Sequence, residues 1–330
     1  MKSLVTGGAG FIGSHLVDEL LALGHEVSIL DNFSTGRLEN LAHVADRVRV
    51  HECDLGVTGA WADEFSEVDW VFHLAALADI VPSIQDPRTY FQSNVDGTFN
   101  ALYASHHAAV RRFVYVASSS SYGMPDMFPT PETARMQPLY PYALTKYLGE
   151  QLVMHWAQVY GLPALSLRFF NVYGPRSRTS GTYGAVFGVF LAQKLAGEPF
   201  TVVGDGEQTR DFTHVSDIVA ALLAAAQSEH SDRVYNAGSG TTVSVNRLVE
   251  LLGGQKVHIP KRPGEPDCTF ADISRIQIEL SWQPRVSIEE GVAQLLENID
   301  YWRTAPVWTP DTIAEATRDW FNYLGDKKTP

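Results

Sequence analysis

The sequence predicts an α/β fold organised on a doubly wound parallel sheet, and three observations carry that expectation. The chain opens with a short apolar strand, a glycine loop and an amphipathic helix in that order. Four further short apolar runs then follow, separated by helix-length segments. The carboxyl ends of these runs carry polar or acidic residues, which is where ligands gather on such a sheet.

The first element is "KSLVTGGAGFIGSHLVDELLALGHEVSILD". Lys2 to Thr6 form the strand, Gly7, Gly10 and Gly13 the loop, and Leu16, Leu20 and Leu23 one face of the helix. Glycines at that spacing let the backbone turn tightly and approach a pyrophosphate lying at the positive end of a helix whose first turns hold Phe11 to His15. Val27 to Leu30 form the second strand, and Asp31 closes it. A carboxylate there is placed to accept hydrogen bonds from an adenosine ribose, and its negative charge would repel a 2′-phosphate. The cofactor expected from these residues is therefore NAD rather than NADP.

The remaining runs, Val48 to Cys53, Trp70 to Ala75 and Phe113 to Ala117, complete the strand set. Their ends bring up Asp54, the segment His73 to Ala76, and four consecutive serines, Ser118 to Ser121. The serine run therefore falls on the ligand side of the sheet.

Tyr140 to Gly161 has the helical spacing of Leu144, Leu148, Leu152 and Trp156. Tyr142 and Lys146 stand four apart and share one face. An ammonium near a phenol lowers its pKa, and a cationic nicotinamide lowers it further, so Tyr142 is expected to serve as a general base on a sugar or alcohol hydroxyl. Tyr323 and Lys327 repeat the spacing in the C-terminal tail, beside a glycine where a helix would end, and are read as coincidence.

Composition excludes several classes. Hydrophobic content of 45% with 19% charged residues is that of an ordinary globular protein. No apolar run approaches the ~20 residues that span a bilayer, so neither a membrane nor secretion is expected. Cys53 and Cys268 lie far apart without metal-ligand spacing, which argues against a zinc site or a disulfide framework and for the cytosol. A formal net charge of −13 disfavours nucleic acid as a partner.

Beyond these elements, the chain resembles the extended short-chain dehydrogenase/reductase family, and within it the nucleotide-sugar 4-epimerases, over about residues 1 to 300. The likeness rests on "TGGAGFIGSHL", "HLAA", "SNVDGT", "SSSSYG", "YPYALTK", "RFFNVYGP", "GDGEQTRDFTHVSD" and "RPGEPDCTFAD". The resemblance implies a Rossmann-type sheet with a smaller, interleaved C-terminal substrate unit. Boundaries follow at 1–170 with 213–239 for cofactor binding, and at 171–212 with 240–330 for substrate. It implies a transient 4-keto sugar, NAD kept as a bound cofactor, a UDP-linked sugar as substrate and a homodimer formed through the helices after Asn94 and Tyr142.

Residue roles implied by the resemblance are these. Ser118, four before Tyr122, bonds the reacting hydroxyl, with Ser119 and Ser120 as runners-up in contact with substrate, while Ser121 caps backbone groups. Tyr142 and Lys146 complete the catalytic set. Gly7, Gly10, Phe11, Ile12, Gly13, Asp31, Asn32, Asp54, Leu55, Leu74, Ala75, Ala76 and Asn94 surround the cofactor, with Tyr142 and Lys146. Asn171, Arg210 and Arg262 hold the substrate diphosphate, Asp267 or Glu265 a nucleotide ribose, and Thr269 stands beside the sugar pocket, small enough to admit a bulky 2-substituent. In the dehydratase relatives the serine stretch carries Thr-Asp-Glu, and the decarboxylase relatives carry a glutamate in it. Serines at 118 to 120 lack those carboxyl groups and favour epimerisation over dehydration or decarboxylation. A 4-dehydrogenase releasing its keto product and a non-catalytic NAD sensor are the other readings.

The segment after residue 300 extends past the resemblance. Thr309 is placed to cap a helix over 309–325, with Pro310 at its first position and Ile313, Ala316, Trp320 and Leu324 as its apolar stripe. The stripe is expected to pack on the helix's own core, with covering the sugar pocket or a subunit contact as alternatives.

Overall fold

The computed structural model describes residues 1–177 and 185–325. Lys327, half of the second tyrosine–lysine pair, lies outside the described residues.

Seven parallel strands form the main sheet. Six are β1 (Lys2–Thr6), β2 (Glu26–Asp31), β3 (Val48–Glu52), β4 (Trp70–His73), β5 (Arg112–Ser118) and β6 (Ala164–Phe169), and the seventh is Arg233–Ala237. From one edge the order runs Arg233–Ala237, β6, β5, β4, β1, β2, β3. Strand order reverses between β1 and β4, which opens a crevice above their carboxyl ends. The strands at the centre are apolar and buried on both faces: in β4 and β5 only Val116 and Ser118 are even partly exposed.

One apolar core lies under α1 (Phe11–Ala22) and the helix Val215–Gln227, and a second lies under the helices Gly97–His107 and Pro141–Tyr160. A third, built on Tyr173, Phe190, Phe200, Leu248, Leu295 and Trp302, belongs to the short strand pairs and helices on the carboxyl side of the sheet. Those pairs are Asn171–Tyr173 with Phe212–His214, Thr209–Arg210 with Val243–Ser244, and Phe200–Val203 with Lys256–Ile259. Ile276 and Trp282 leave this third group and pack into the first core.

The C-terminal segment departs from the single helix expected. It forms two, Pro310–Ala316 and Arg318–Leu324. Thr309 does cap the first, with Pro310 in its opening turn. The break falls at Thr317, whose buried hydroxyl donates back to Ile313 O at 2.7 Å, a local bond that competes with continuation of the helix. Thr317, Ile313 and Trp320 form the buried stripe, whereas Ala316 and Leu324 are only half-buried.

Candidate active site

A cavity of about 690 Å³ runs from the glycine loop across the ends of the strands to the C-terminal helices. At its β1 end, a Cβ on Gly13 would lie 2.2 Å from Gly7 O, so only glycine allows α1 to pack on the loop. Gly10 caps α1 with no side chain bonded to the helix's first N–H groups. Those donors and the positive helix end suit an anion. Asp31, buried at the end of β2, accepts from Ala9 N and Phe33 N, both at 2.9 Å. Burial pushes its carboxyl above the usual value and these two bonds partly offset the rise. Asp54 bends back to accept from Gly56 N at 2.8 Å and lines the cavity with Asn32 and Leu55. Leu74, Ala75 and Ala76 form the facing wall. An uncapped helix end between a glycine cradle and a buried, cavity-lining carboxylate fits a dinucleotide.

The serine run leaves β5 as a tight 3-10 turn over Ser119–Tyr122. Ser118 Oγ lies 2.8 Å from Ser120 Oγ and accepts from Ser120 N at 3.2 Å. The Ser118 and Ser120 hydroxyls face the Tyr142 phenol closely enough to favour its ionised form, and Ser120 acts on Tyr140 in the same way. Ser121 turns away and donates to Ala143 O at 3.3 Å. Ser118, Ser119, Ser120 and Tyr142 all line the cavity.

Behind this turn, Tyr122 is buried and donates to Asn236 Oδ1 at 2.7 Å. Arg168 on β6 donates to the Tyr122 oxygen at 2.7 Å and to both oxygens of Glu150, at 2.6 and 2.9 Å. The reactive turn is thus fastened to β6 and to the helix bearing Tyr142.

Lys146 departs from expectation. Its ammonium sits 4.5 Å from the centre of the Tyr115 ring, is buried and does not line the cavity. Burial lowers its pKa to about 7, with the Glu150 charge opposing. The Tyr142 phenol is pushed up rather than down: burial raises it, the Ser118 bond lowers it, the Asp79 charge raises it and the Ser120 bond lowers it. With the lysine held against a different ring, burial outweighs the groups that favour the phenolate, and Tyr142 stays protonated at neutral pH.

Asn94 also differs. It lies in a wider π turn, Gln92–Asp96, and its amide is used within the protein. Its oxygen accepts from Leu77 N at 2.8 Å, and its nitrogen donates to Leu77 O and Thr145 Oγ1, each at 2.9 Å. It braces the loop after β4 against the Tyr142 helix and does not line the cavity. Asp267 is exposed and paired with Lys261 at the surface, so of the two carboxylates weighed for a ribose only Glu265 lines the cavity.

At the far end of the cavity, Arg210 Nη2 donates to Glu265 Oε1 at 2.9 Å, and Arg262 stands 3.7 Å from Glu265 Oε2. Thr269 donates to Asn171 Oδ1 at 2.8 Å and accepts from Asp211 N at 3.2 Å. Two guanidinium groups, an amide and a small hydroxyl residue converge there, a set suited to a diphosphate.

Comparison with known proteins agrees with this arrangement. The model of the NAD dependent epimerase/dehydratase family matches residues 3–238. The chain belongs to that family. It is 37% identical over 309 residues to a UDP-glucose 4-epimerase of Mycolicibacterium smegmatis, covering 90% of this chain and 98% of the relative. A UDP-glucuronic acid decarboxylase of Arabidopsis thaliana is 34% identical over 308 residues, covering 90% and 69%. The solved UDP-glucuronic acid 4-epimerase of Bacillus cereus, in complex with UDP-glucuronic acid and NAD, superposes with a TM-score of 0.84 at 32% identity, covering 91% and 99%.

Sequence reasoning missed two residues that line the cavity. Tyr140 lines the cavity, its ring stacked 6.4 Å from that of Tyr142. Trp320 lines the far end. Tyr140 was legible as the residue before the helix-starting proline; Trp320 carried only the signal of an apolar stripe.

Proposed function

We propose that this chain is an NAD-dependent UDP-sugar 4-epimerase. The observation that carries the reading is the hydroxyl cluster of Ser118, Ser120 and Tyr142, set between the glycine cradle and the Arg210–Arg262 end, with no carboxyl group anywhere in Ser118 to Tyr122. The dehydratase and decarboxylase relatives that the sequence resembles carry carboxyl groups in that turn, and serines supply none.

Gly7, Gly10, Phe11, Ile12 and Gly13 would hold the cofactor's pyrophosphate, Asp31 its adenosine ribose, and Asp54 its adenine. When bound, the oxidised nicotinamide supplies the acceptor for the C4 hydrogen and a positive charge that lowers the Tyr142 phenol. Arg210 and Arg262 clamp the substrate diphosphate. Ser118 Oγ hydrogen-bonds the C4 oxygen, and the Tyr142 oxygen takes the C4 hydroxyl proton as the C4–H bond breaks. The flat 4-keto sugar turns while its diphosphate stays held. Tyr142 then returns the proton to the oxygen as C4 regains its hydrogen on the opposite face. Thr269, a small side chain already engaged with Asn171, leaves room for a substituted sugar.

The two units of the chain fit this division of labour. Residues 1–170 with 213–239 would carry the cofactor and 171–212 with 240–330 the substrate, except that Ile276 and Trp282 pack back on the first core. Phe99 and Tyr103 on one helix and Leu144, Val159 and Tyr160 on its neighbour leave a large apolar surface exposed. A homodimer would bury it, and light scattering giving a monomer mass would refute that. Both cysteines are free, and among the described residues no helix is long and apolar enough to cross a membrane. A cytoplasmic setting, where NAD and nucleotide sugars meet, suits this reading; fractionation that recovers the protein outside the cytoplasm would contradict it.

The test is NMR of the purified protein incubated with UDP-glucose, UDP-N-acetylglucosamine, UDP-glucuronate and a GDP-sugar. A new C4 epimer from a UDP-sugar supports the reading and identifies the sugar. Loss of water or carbon dioxide, or a released keto sugar, sinks it.

A further inference from the structure

We propose that Trp320 is a positioning residue for Arg262, holding its guanidinium toward the substrate diphosphate and so setting substrate affinity. The inference rests on the assignment of Arg262 to the diphosphate made above.

Four observations converge. The Arg262 guanidinium carbon lies 5.4 Å from the centre of the Trp320 ring. The same indole donates from Nε1 to Pro263 O at 2.7 Å, so one side chain holds both the Arg262 side chain and the backbone next to it. Trp320 is buried and still forms part of the cavity wall, as does Arg262. The helix bearing it, Arg318–Leu324, is fixed on two sides. Asp319 accepts from Gln85 Nε2 at 2.8 Å, which ties it to the cofactor-side helix Ile80–Gln85. Just before it, Ile313 packs with Val203 and Ile259.

The physical logic is pre-organisation. An arginine side chain loses rotamer freedom when it grips a phosphate, and a ring face that already holds the guanidinium plane reduces that loss. Glu265 pairs with Arg262 at 3.7 Å while its other oxygen is bonded to Arg210 at 2.9 Å, so the indole face adds a closer-fitting restraint on the guanidinium. The row Trp320, Arg262, Glu265 and Arg210 along the cavity wall thus makes the C-terminal helix part of the substrate site.

The experiment is calorimetric titration of UDP into the full chain and its variants, with kcat and KM on the sugar identified above. Trp320→Ala is expected to raise the Kd for UDP and the KM by about 5- to 30-fold, with kcat changed by less than about twofold. Trp320→Leu, which keeps apolar bulk without a ring face, is expected to lose affinity similarly while staying folded by circular dichroism at the assay temperature. Trp320→Phe should retain most of it. Added to Arg262→Ala, the Trp320→Ala change should cost less than about twofold more, since its partner is gone. Normal UDP affinity in Trp320→Leu and Trp320→Ala, or losses that multiply fully with Arg262→Ala, would overturn the proposal alone. Failure of the unmodified chain to bind UDP would overturn the pocket assignment and this proposal together.

Discussion

Tyr142 shows how a residue's chemistry depends on what it touches rather than on its spacing. A tyrosine and a lysine four apart on a helix were legible in the sequence, but the lysine's ammonium lies against the Tyr115 ring, and the groups that favour the ionised phenol are instead Ser118 and Ser120. No spacing rule reveals which of four serines faces the phenol, because that depends on the 3-10 turn that follows β5. Tyr142→Phe removes the proton carrier while keeping the ring, and kcat is expected to fall about 10²- to 10⁴-fold with UDP affinity unchanged. Steady-state kinetics beside calorimetry checks this. A variant retaining a tenth of the activity would show that another group carries the proton.

At the scale of elements, the strand ends were the readable part. Strand and helix alternation placed β1 to β5 within a residue or two, because each buried strand is a short apolar run bounded by polar residues. The C-terminal helices were less readable, since the break at Thr317 comes from one side-chain bond and the role of Trp320 from a loop 57 residues earlier. His73, at the end of β4, illustrates an element's internal wiring. Its ring joins Thr6 on β1 at 2.7 Å to Thr98 on the helix Gly97–His107 at 3.0 Å. Burial, and then the Lys146 charge, lowers its pKa to about 3. Between pH 6.5 and about 3 the unfolded chain therefore binds a proton at His73 that the folded chain refuses, and stability falls as pH drops through that window. Melting temperatures measured from pH 7 to pH 4 should show a shallower acid slope for His73→Gln than for the parent; equal slopes would remove His73 from the account.

Across the whole molecule, the sheet, the serine turn and the Tyr142 helix are held together by one buried ion pair. Arg168 and Glu150 have side chains only 7% and 2% exposed, and Tyr122 and Asn236 complete the network. Sequence patterning could not anticipate it, since Arg168 sits in an apolar strand and Glu150 on a helix 18 positions earlier. Gly149 shares the cause: a Cβ there would meet the Tyr115 hydroxyl at 2.2 Å, so the helix approaches β5 closely enough for its neighbour Glu150 to reach the sheet. Glu150→Ala strands a buried guanidinium and is expected to cost about 3–5 kcal/mol of folding stability, read from denaturant unfolding. A loss under about 1 kcal/mol would mean that water reaches Arg168.

In the proposed reaction the hydrogen taken from C4 of a UDP-sugar returns to the other face of the same molecule within one binding event. It is tested most directly by turning over the sugar deuterated at C4 in ordinary water with excess unlabelled NAD in solution, and following the label by NMR and mass spectrometry. The C4 epimer is expected to retain its deuterium. Epimer carrying protium at C4, or deuterium accumulating in the dissolved cofactor beside a released keto sugar, would contradict it.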